Sequence, residues 1–238
     1  LNNELRAHKQ FINFLVQRGF ATHRIELEDL KMERVNNPFP EKNYPKLQSI
    51  IRKDIEHGYN VRTRWSAVNY YYVILLMNRL GIRVAEAKNF MWEDIQKDGD
   101  DTRVRFWGKD KERRIKIPPS VAEQIENMRV AKQKLGASWD WNEDDYPYVF
   151  GQWKDATKNT HWDNKLRTRW MKESGVDPSE FQYVSFRHKF ITDALNEGVN
   201  SLEIALFCGT SQRMIEQTYG HLVADKVYDL VFKNVPDD

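Results

Sequence analysis

The chain has 238 residues, 40% of them hydrophobic and 13% aromatic, which is enough apolar material for a real core and excludes a disordered or fibrous protein. Its 37 basic and 35 acidic side chains leave a net charge of +2, so a case for nucleic acid has to rest on local clusters rather than bulk charge. A single cysteine, Cys208, excludes an internal disulfide, the histidines show no metal-site spacing, and no run of about 18 apolar residues or signal-peptide pattern appears, so the expectation is a cytoplasmic protein without metal.

Glu4 to Arg18 carries Leu5, Phe11, Ile12, Phe14 and Leu15 at helical spacing, and Gly19 offers a stop. Asn36 to Pro45 holds three Asn and three Pro with few apolar residues, which marks a linker and a domain boundary. Lys46 to His57 and Arg64 to Leu80 read as helices, the second so densely apolar that it is expected to be buried on most faces, with Gly81 ending it. From Ile95 to Pro119 the period changes. Asp98-Gly99-Asp100-Asp101 is turn chemistry, and Val104 and Phe106 alternate with Arg103 and Arg105, which predicts a small antiparallel sheet with Lys109 in its last hairpin. Ser120 to Leu135 is read as a helix capped by Ser120, and Gly136 to His161 as irregular. Helices follow at Lys165 to Glu173, Phe186 to Glu197, Ser201 to Cys208 and Ser211 to Tyr219, the last two joined by a Gly-Thr turn. The fold class is mainly α with a small antiparallel sheet, an α+β arrangement.

Four stretches carry chemistry. Leu80-Gly81-Ile82-Arg83-Val84-Ala85-Glu86, Trp107-Gly108-Lys109-Asp110-Lys111, Val184-Ser185-Phe186-Arg187-His188, and Gly209-Thr210-Ser211 leading to Tyr219-Gly220-His221 bring two arginines, a lysine and a tyrosine. Arginine is always charged and its forked donors match two phosphate oxygens, so a pair of them can neutralise a pentavalent phosphorus; tyrosine can attack and stay attached. Each residue also has a plainer reading. Arg83 alone could cap a helix or pair with Glu86, Lys109 has Lys111 as a rival, Tyr219 has Tyr228, and His188 could serve structure only. Arg187, flanked by Phe186 and Phe190, is expected to be half-buried and to need an anion.

Taken together and in order, these stretches resemble the catalytic domain of the tyrosine recombinases of the phage-integrase family, over roughly Pro38 to Asp225. The resemblance implies Arg83 and Arg187 as the catalytic arginines, Glu86 as the acidic residue of the site, and Lys109 as general acid to the leaving 5′ oxygen. It implies Tyr219 as the nucleophile of a 3′-phosphotyrosyl intermediate, with no cofactor. Val184 stands where the family most often has His or Lys, and Thr210 where it has His or Trp; Val184 cannot move a proton, whereas the Thr210 hydroxyl can still donate. Val184, His188 and His221 are therefore auxiliary positions to watch.

On the same resemblance, residues 1–37 are the last helix and connector of a core-binding domain whose remainder would precede Leu1, and residues 38–238 are the catalytic domain. Residues 223–238 carry Val223, Val227, Leu230 and Val231 at helical spacing, implying a tail helix that docks on the next protomer of a tetramer on double-stranded DNA. Basic clusters at Arg62, Arg64, Lys165, Arg167 and Arg169, with Trp162 and Trp170 interleaved, are candidate backbone contacts, and a DNA-acting protein is expected in the cytoplasm at the nucleoid. Three other readings stand beside this one: a helix-turn-helix regulator built on Ser201 to Tyr219, a type IB topoisomerase, and a recombinase relative that has lost cleavage.

Overall fold

The structure is a computed structural model that describes residues 2–21, 37–108, 112–151 and 164–220. The chain divides into two units, Leu1–Val35 and Asn36–Asp238. In the first, α1 (Asn2–Gln17) ends as expected at Gly19, whose φ of +74° is left-handed and whose N–H donates to the Val16 carbonyl at 3.1 Å.

The second unit is organised on its most apolar helix. Its first helix, α2, is Tyr44–His57. The central one, α3 (Val61–Leu80), starts at Asn60, whose side chain accepts from the Thr63 N–H at 2.8 Å, and stops at Gly81, which adopts φ +57°. Every residue from Trp65 to Tyr71 is buried, because α3 is packed against α2, α5 (Pro119–Gly136), α6 (Asn164–Ser174) and α7 (Tyr183–Asn196). The segment read as a bare linker departs from expectation. Phe39 is buried against Phe186, ring centroids 4.5 Å apart, and its N–H donates to the Ser185 carbonyl at 3.0 Å, so the end of that segment is core.

After Gly81 comes a helix that the apolar period does not reveal, α4 (Val84–Asn89), too short to show two turns of a pattern. The sheet is as expected: β1 (Ile95–Asp98), β2 (Asp101–Trp107) and β3 (Glu112–Ile117) are antiparallel in that order, with Val104 opposite Ile115 and Phe106 opposite Arg113. Val104, Phe106, Ile115 and Ile117 are buried, as a period of two with one covered face requires. Ser120 is not the cap of α5. Pro118 occupies that position and Pro119 begins the helix, where its missing N–H costs no hydrogen bond.

Helix α7 begins three residues earlier than expected, which puts Val184 and Ser185 on the helix; the Ser185 hydroxyl accepts from the Gln182 N–H at 3.1 Å. Then α8 (Ser201–Cys208) ends at Gly209 with φ +62°, and α9 covers residues 212–220. Ile191, Leu195, Ile204, Ala205, Cys208, Ile215 and Tyr219 form a second apolar cluster under α7, α8 and α9. That cluster fixes the turn that carries the site.

Candidate active site

Arg83 is the first non-helical residue before α4, and it does both of the plain things its sequence allowed. Its backbone N–H donates to Glu86 Oε2 at 2.7 Å and its Nη1 to Oε1 at 3.2 Å. Glu86, 1% exposed, is also gripped by Arg113: Nε to Oε1 at 3.0 Å and Nη2 to Oε2 at 2.9 Å, a side-on bidentate pair. Burial pushes the Glu86 carboxyl up, but the Arg113 bonds and charge, the Arg83 N–H and the Arg83 charge outweigh it and hold it below the usual carboxylate range.

The three carbonyls that end α8 are each taken by a different arginine. Phe207 O accepts from Arg113 Nη1 at 2.5 Å, Cys208 O from Arg187 Nη1 at 3.1 Å, and Gly209 O from Arg83 Nη2. The same Arg187 nitrogen also reaches the carbonyl of Gly81, so the C-terminal ends of α3 and α8 meet on one guanidinium. A helix end offers negative dipole and unpaired carbonyls, which is why cations gather there. Gly209 is favoured as glycine: its φ is left-handed, and a Cβ would lie 2.7 Å from Arg113 Cδ and 3.4 Å from Arg83 Nη1.

Arg187 is only 8% exposed, and burial together with the charges of Arg83 and Arg113 pushes it below its usual range. Three guanidinium groups (Arg83, Arg113, Arg187) lie around one carboxylate (Glu86), so 3 − 1 leaves two positive charges in a cluster where Arg113 and Arg187 are largely buried and Arg83 is part-exposed. Such a cluster suits a phosphodiester, which brings one negative charge and two non-bridging oxygens. Thr210 follows directly on the turn, part-exposed, its N–H donating to the Ala205 carbonyl at 2.8 Å.

Tyr219, on α9, is 5% exposed. Its hydroxyl is hydrogen-bonded to Nδ1 of His188, the residue after Arg187 on α7. Burial drives the phenol above its ordinary range, while Arg187 pulls the other way. Burial and then the Arg187 charge pull His188 down to about 4, so its imidazole is neutral near pH 7. The expected half-buried arginine, the acidic residue and the tyrosine therefore belong to one neighbourhood. Val184, by contrast, is 40% exposed on the first turn of α7.

The phage integrase family model matches residues 42–225, most of the chain and all of the site just described. The chain belongs to the phage integrase family. Among curated proteins it is similar to the tyrosine recombinase XerA of Pyrococcus furiosus, 25% identical over 225 residues that cover 92% of this chain and 72% of that protein. Among solved structures it resembles the Tn1549 transposon integrase in complex with circular intermediate DNA, at TM-score 0.64 and 16% identity over 95% of this chain and 77% of that one. It also resembles the XerH site-specific recombinase bound to palindromic difH substrate, at TM-score 0.61 and 15% identity over 84% of this chain; it spans only 54% of that chain.

In this phage integrase family member the other expected residues fall out as follows. Lys109, its rival Lys111, His221, Tyr228 and the tail helix of residues 223–238 lie outside the described residues. Arg62 is exposed on the first turn of α3 and Lys165 on the first turn of α6. Arg64 donates from Nε to the Ile55 carbonyl at 2.8 Å, and Arg169 is paired with Asp54. Arg167 corrects the expectation of one exposed cluster. It is buried, donating to the Phe181 carbonyl and to Met171 Sδ, each at 3.2 Å, because residues two apart on a helix point about 200° apart and cannot share a face with Lys165 and Arg169.

Arg113 is the site residue that the motif reading missed. Its signal was in the sequence: it shares the inward face of β3 with Ile115 and Ile117, and a charge on a buried strand face requires an opposite charge.

Proposed function

We propose that this chain is a site-specific DNA recombinase that cuts and rejoins strands through a 3′-phosphotyrosyl link on Tyr219. The observation that carries the reading is convergence. Arg83 and Arg187, 187 − 83 = 104 positions apart, both bond the turn that ends α8 and leads into the helix of Tyr219.

Arg83 and Arg187 hold the scissile phosphate and absorb charge as it becomes pentavalent; Glu86, braced by Arg113, keeps Arg83 in place. The Tyr219 oxygen forms a bond to phosphorus, the bond to the 5′ oxygen breaks, and that oxygen leaves as a hydroxyl, with Lys109 assigned as its proton donor. A 5′-hydroxyl from a partner strand then attacks phosphorus and releases Tyr219, so the bond energy is kept in the covalent link. The curated relatives are tyrosine recombinases, and the XerH and Tn1549 structures are complexes with DNA, which supports duplex DNA as substrate. Arg62 and Lys165 are assigned as backbone contacts, a tetramer held by the tail helix as the working assembly, residues 1–37 as part of a DNA-clamping domain, and the nucleoid as its place of action.

A second reading, a relative that binds DNA without cutting it, is favoured by one observation: the exposed hydrocarbon at Val184. The test is a pool of nicked suicide duplexes with a randomised core, from which covalent protein–DNA adducts are recovered on denaturing gels. Adducts with the wild-type chain that vanish in Tyr219→Phe support the recombinase. Enrichment of bound duplexes without any adduct supports the second reading and overturns the first.

A further inference from the structure

We propose that His188 accepts the phenolic proton of Tyr219 during strand cleavage and returns it on rejoining, work that Val184 cannot do one turn earlier on the same helix. The inference rests on the recombinase reading, and three observations carry it.

The first is contact. His188 Nδ1 is hydrogen-bonded to the Tyr219 hydroxyl, both side chains are buried, and the rings stand 5.6 Å apart at 50°. Nε2 is buried with no hydrogen-bond partner among the described residues, so among them the phenol alone sets the tautomer. When the phenol donates to Nδ1, the neutral ring carries its proton on Nε2, and Nδ1 offers the lone pair that a base needs.

The second is placement. His188 follows Arg187 directly on α7, a rigid element, so the base and the phosphate-holding guanidinium keep a fixed relation. Arg187 acts electrostatically on both His188 and Tyr219, which places all three within one local field.

The third is coupling to substrate. The charge that disfavours imidazolium comes from Arg187, after burial itself. A phosphodiester seated on Arg187 pairs that charge, so His188 becomes a stronger base when there is a phosphorus to attack. Among the described residues, the other group acting on Tyr219 is Cys208, which is buried.

The step balances. As the Tyr219 oxygen bonds to phosphorus its proton passes to Nδ1, giving imidazolium, and the departing 5′ oxygen takes a proton from its own acid. In the return step a 5′-hydroxyl attacks, and imidazolium gives the proton back to the leaving phenolate.

The experiment measures adduct formation by the full chain on the nicked, randomised-core pool enriched by the wild type. His188→Asn, which keeps a polar atom near the position of Nδ1 but has no basicity, is expected to slow adduct formation by about 10² or more. Its DNA affinity and thermal midpoint should stay close to wild type. Incorporation of 3,5-difluorotyrosine at position 219, a more acidic phenol, is expected to restore at least tenfold of that loss. An undiminished rate in His188→Asn overturns the proposal while leaving the recombinase reading intact, and so does a slow variant that the fluorinated phenol fails to rescue, since that loss is structural. If His188→Asn does not fold, the wild type alone decides across a series of fluorotyrosines at 219. A weak dependence of rate on phenol acidity supports a base, and a steep one overturns it. No adduct from the wild type removes the recombinase reading itself.

Discussion

Replacing Arg113 with Gln removes two charge-assisted bonds from a carboxylate that is 1% exposed and a third from the Phe207 carbonyl. Breaking a buried ion pair from one side costs about 3–5 kcal/mol, because the remaining charge is left without its partner. Arg83 still donates to Glu86 through its backbone N–H and Nη1, which puts the expected loss at the low end, about 3 kcal/mol. For a unit of this size that is a fall of about 6–12 °C in Tm. The charge of the cluster also drops from two positive to one, and Arg83 is left as the only guanidinium on Glu86, so adduct formation is expected to slow by about 10². Thermal unfolding by circular dichroism and single-turnover adduct formation measure the two effects. Adding Glu86→Gln to Arg113→Gln deletes the unpaired charge and is expected to recover a degree of stability that simple addition of the two single losses forbids. Glu86 is held below the usual carboxylate range, so its contribution in the wild type is complete above about pH 5 and is lost as pH falls through its depressed folded value. In Arg113→Gln burial dominates, and the variant should gain on the wild type as the solution is acidified. Tm within 2 °C of wild type, or strict additivity with Glu86→Gln, refutes the brace.

Two further outcomes test the site from other directions. His188 should titrate near pH 4 by NMR of its imidazole, and because its folded value lies below the ordinary 6.5, stability tied to it is complete above about pH 6.5 and declines as pH falls toward 4; a midpoint near 6.5 would mean that the ring is neither desolvated nor influenced by Arg187. Gly209→Ala forces a Cβ into left-handed backbone, a cost of about 1–2 kcal/mol, and against Arg113 Cδ, so Tm and adduct formation should fall together; an unchanged Tm shows that the turn relaxes freely.

What the sequence disclosed depended on how many residues cooperated in each signal. The buried face of α3 and the alternation of β2 each involve several side chains obeying one period, and both are where they were expected. The apolar period cannot show α4, because six residues repeat nothing. The start of α5 turned on a competition between two neighbours, Ser120 as a cap and Pro119 as a first residue, which local chemistry alone ranks poorly. Phe39 was hidden by its own neighbourhood: prolines and asparagines on either side advertise a loop, while the ring that matters stacks on Phe186, distant in sequence.

The site divides the same way. Arg83, Arg187 and Tyr219 were legible as letters in motifs, but what assembles them is backbone: the carbonyls of Phe207, Cys208 and Gly209, which any residue carries and no motif can name. Only the glycine leaves a trace, since the left-handed turn and the close approach of the Arg113 side chain both disfavour a Cβ there. Arg113 was legible in principle through the face it occupies on β3, yet Arg114 and Lys116 beside it point to solvent and make the stretch look like an ordinary basic surface. On the proposed function, the two guanidinium groups that hold the phosphate, Arg83 and Arg187, are already bonded to the turn that leads to Tyr219, so phosphate grip and nucleophile position share one piece of backbone.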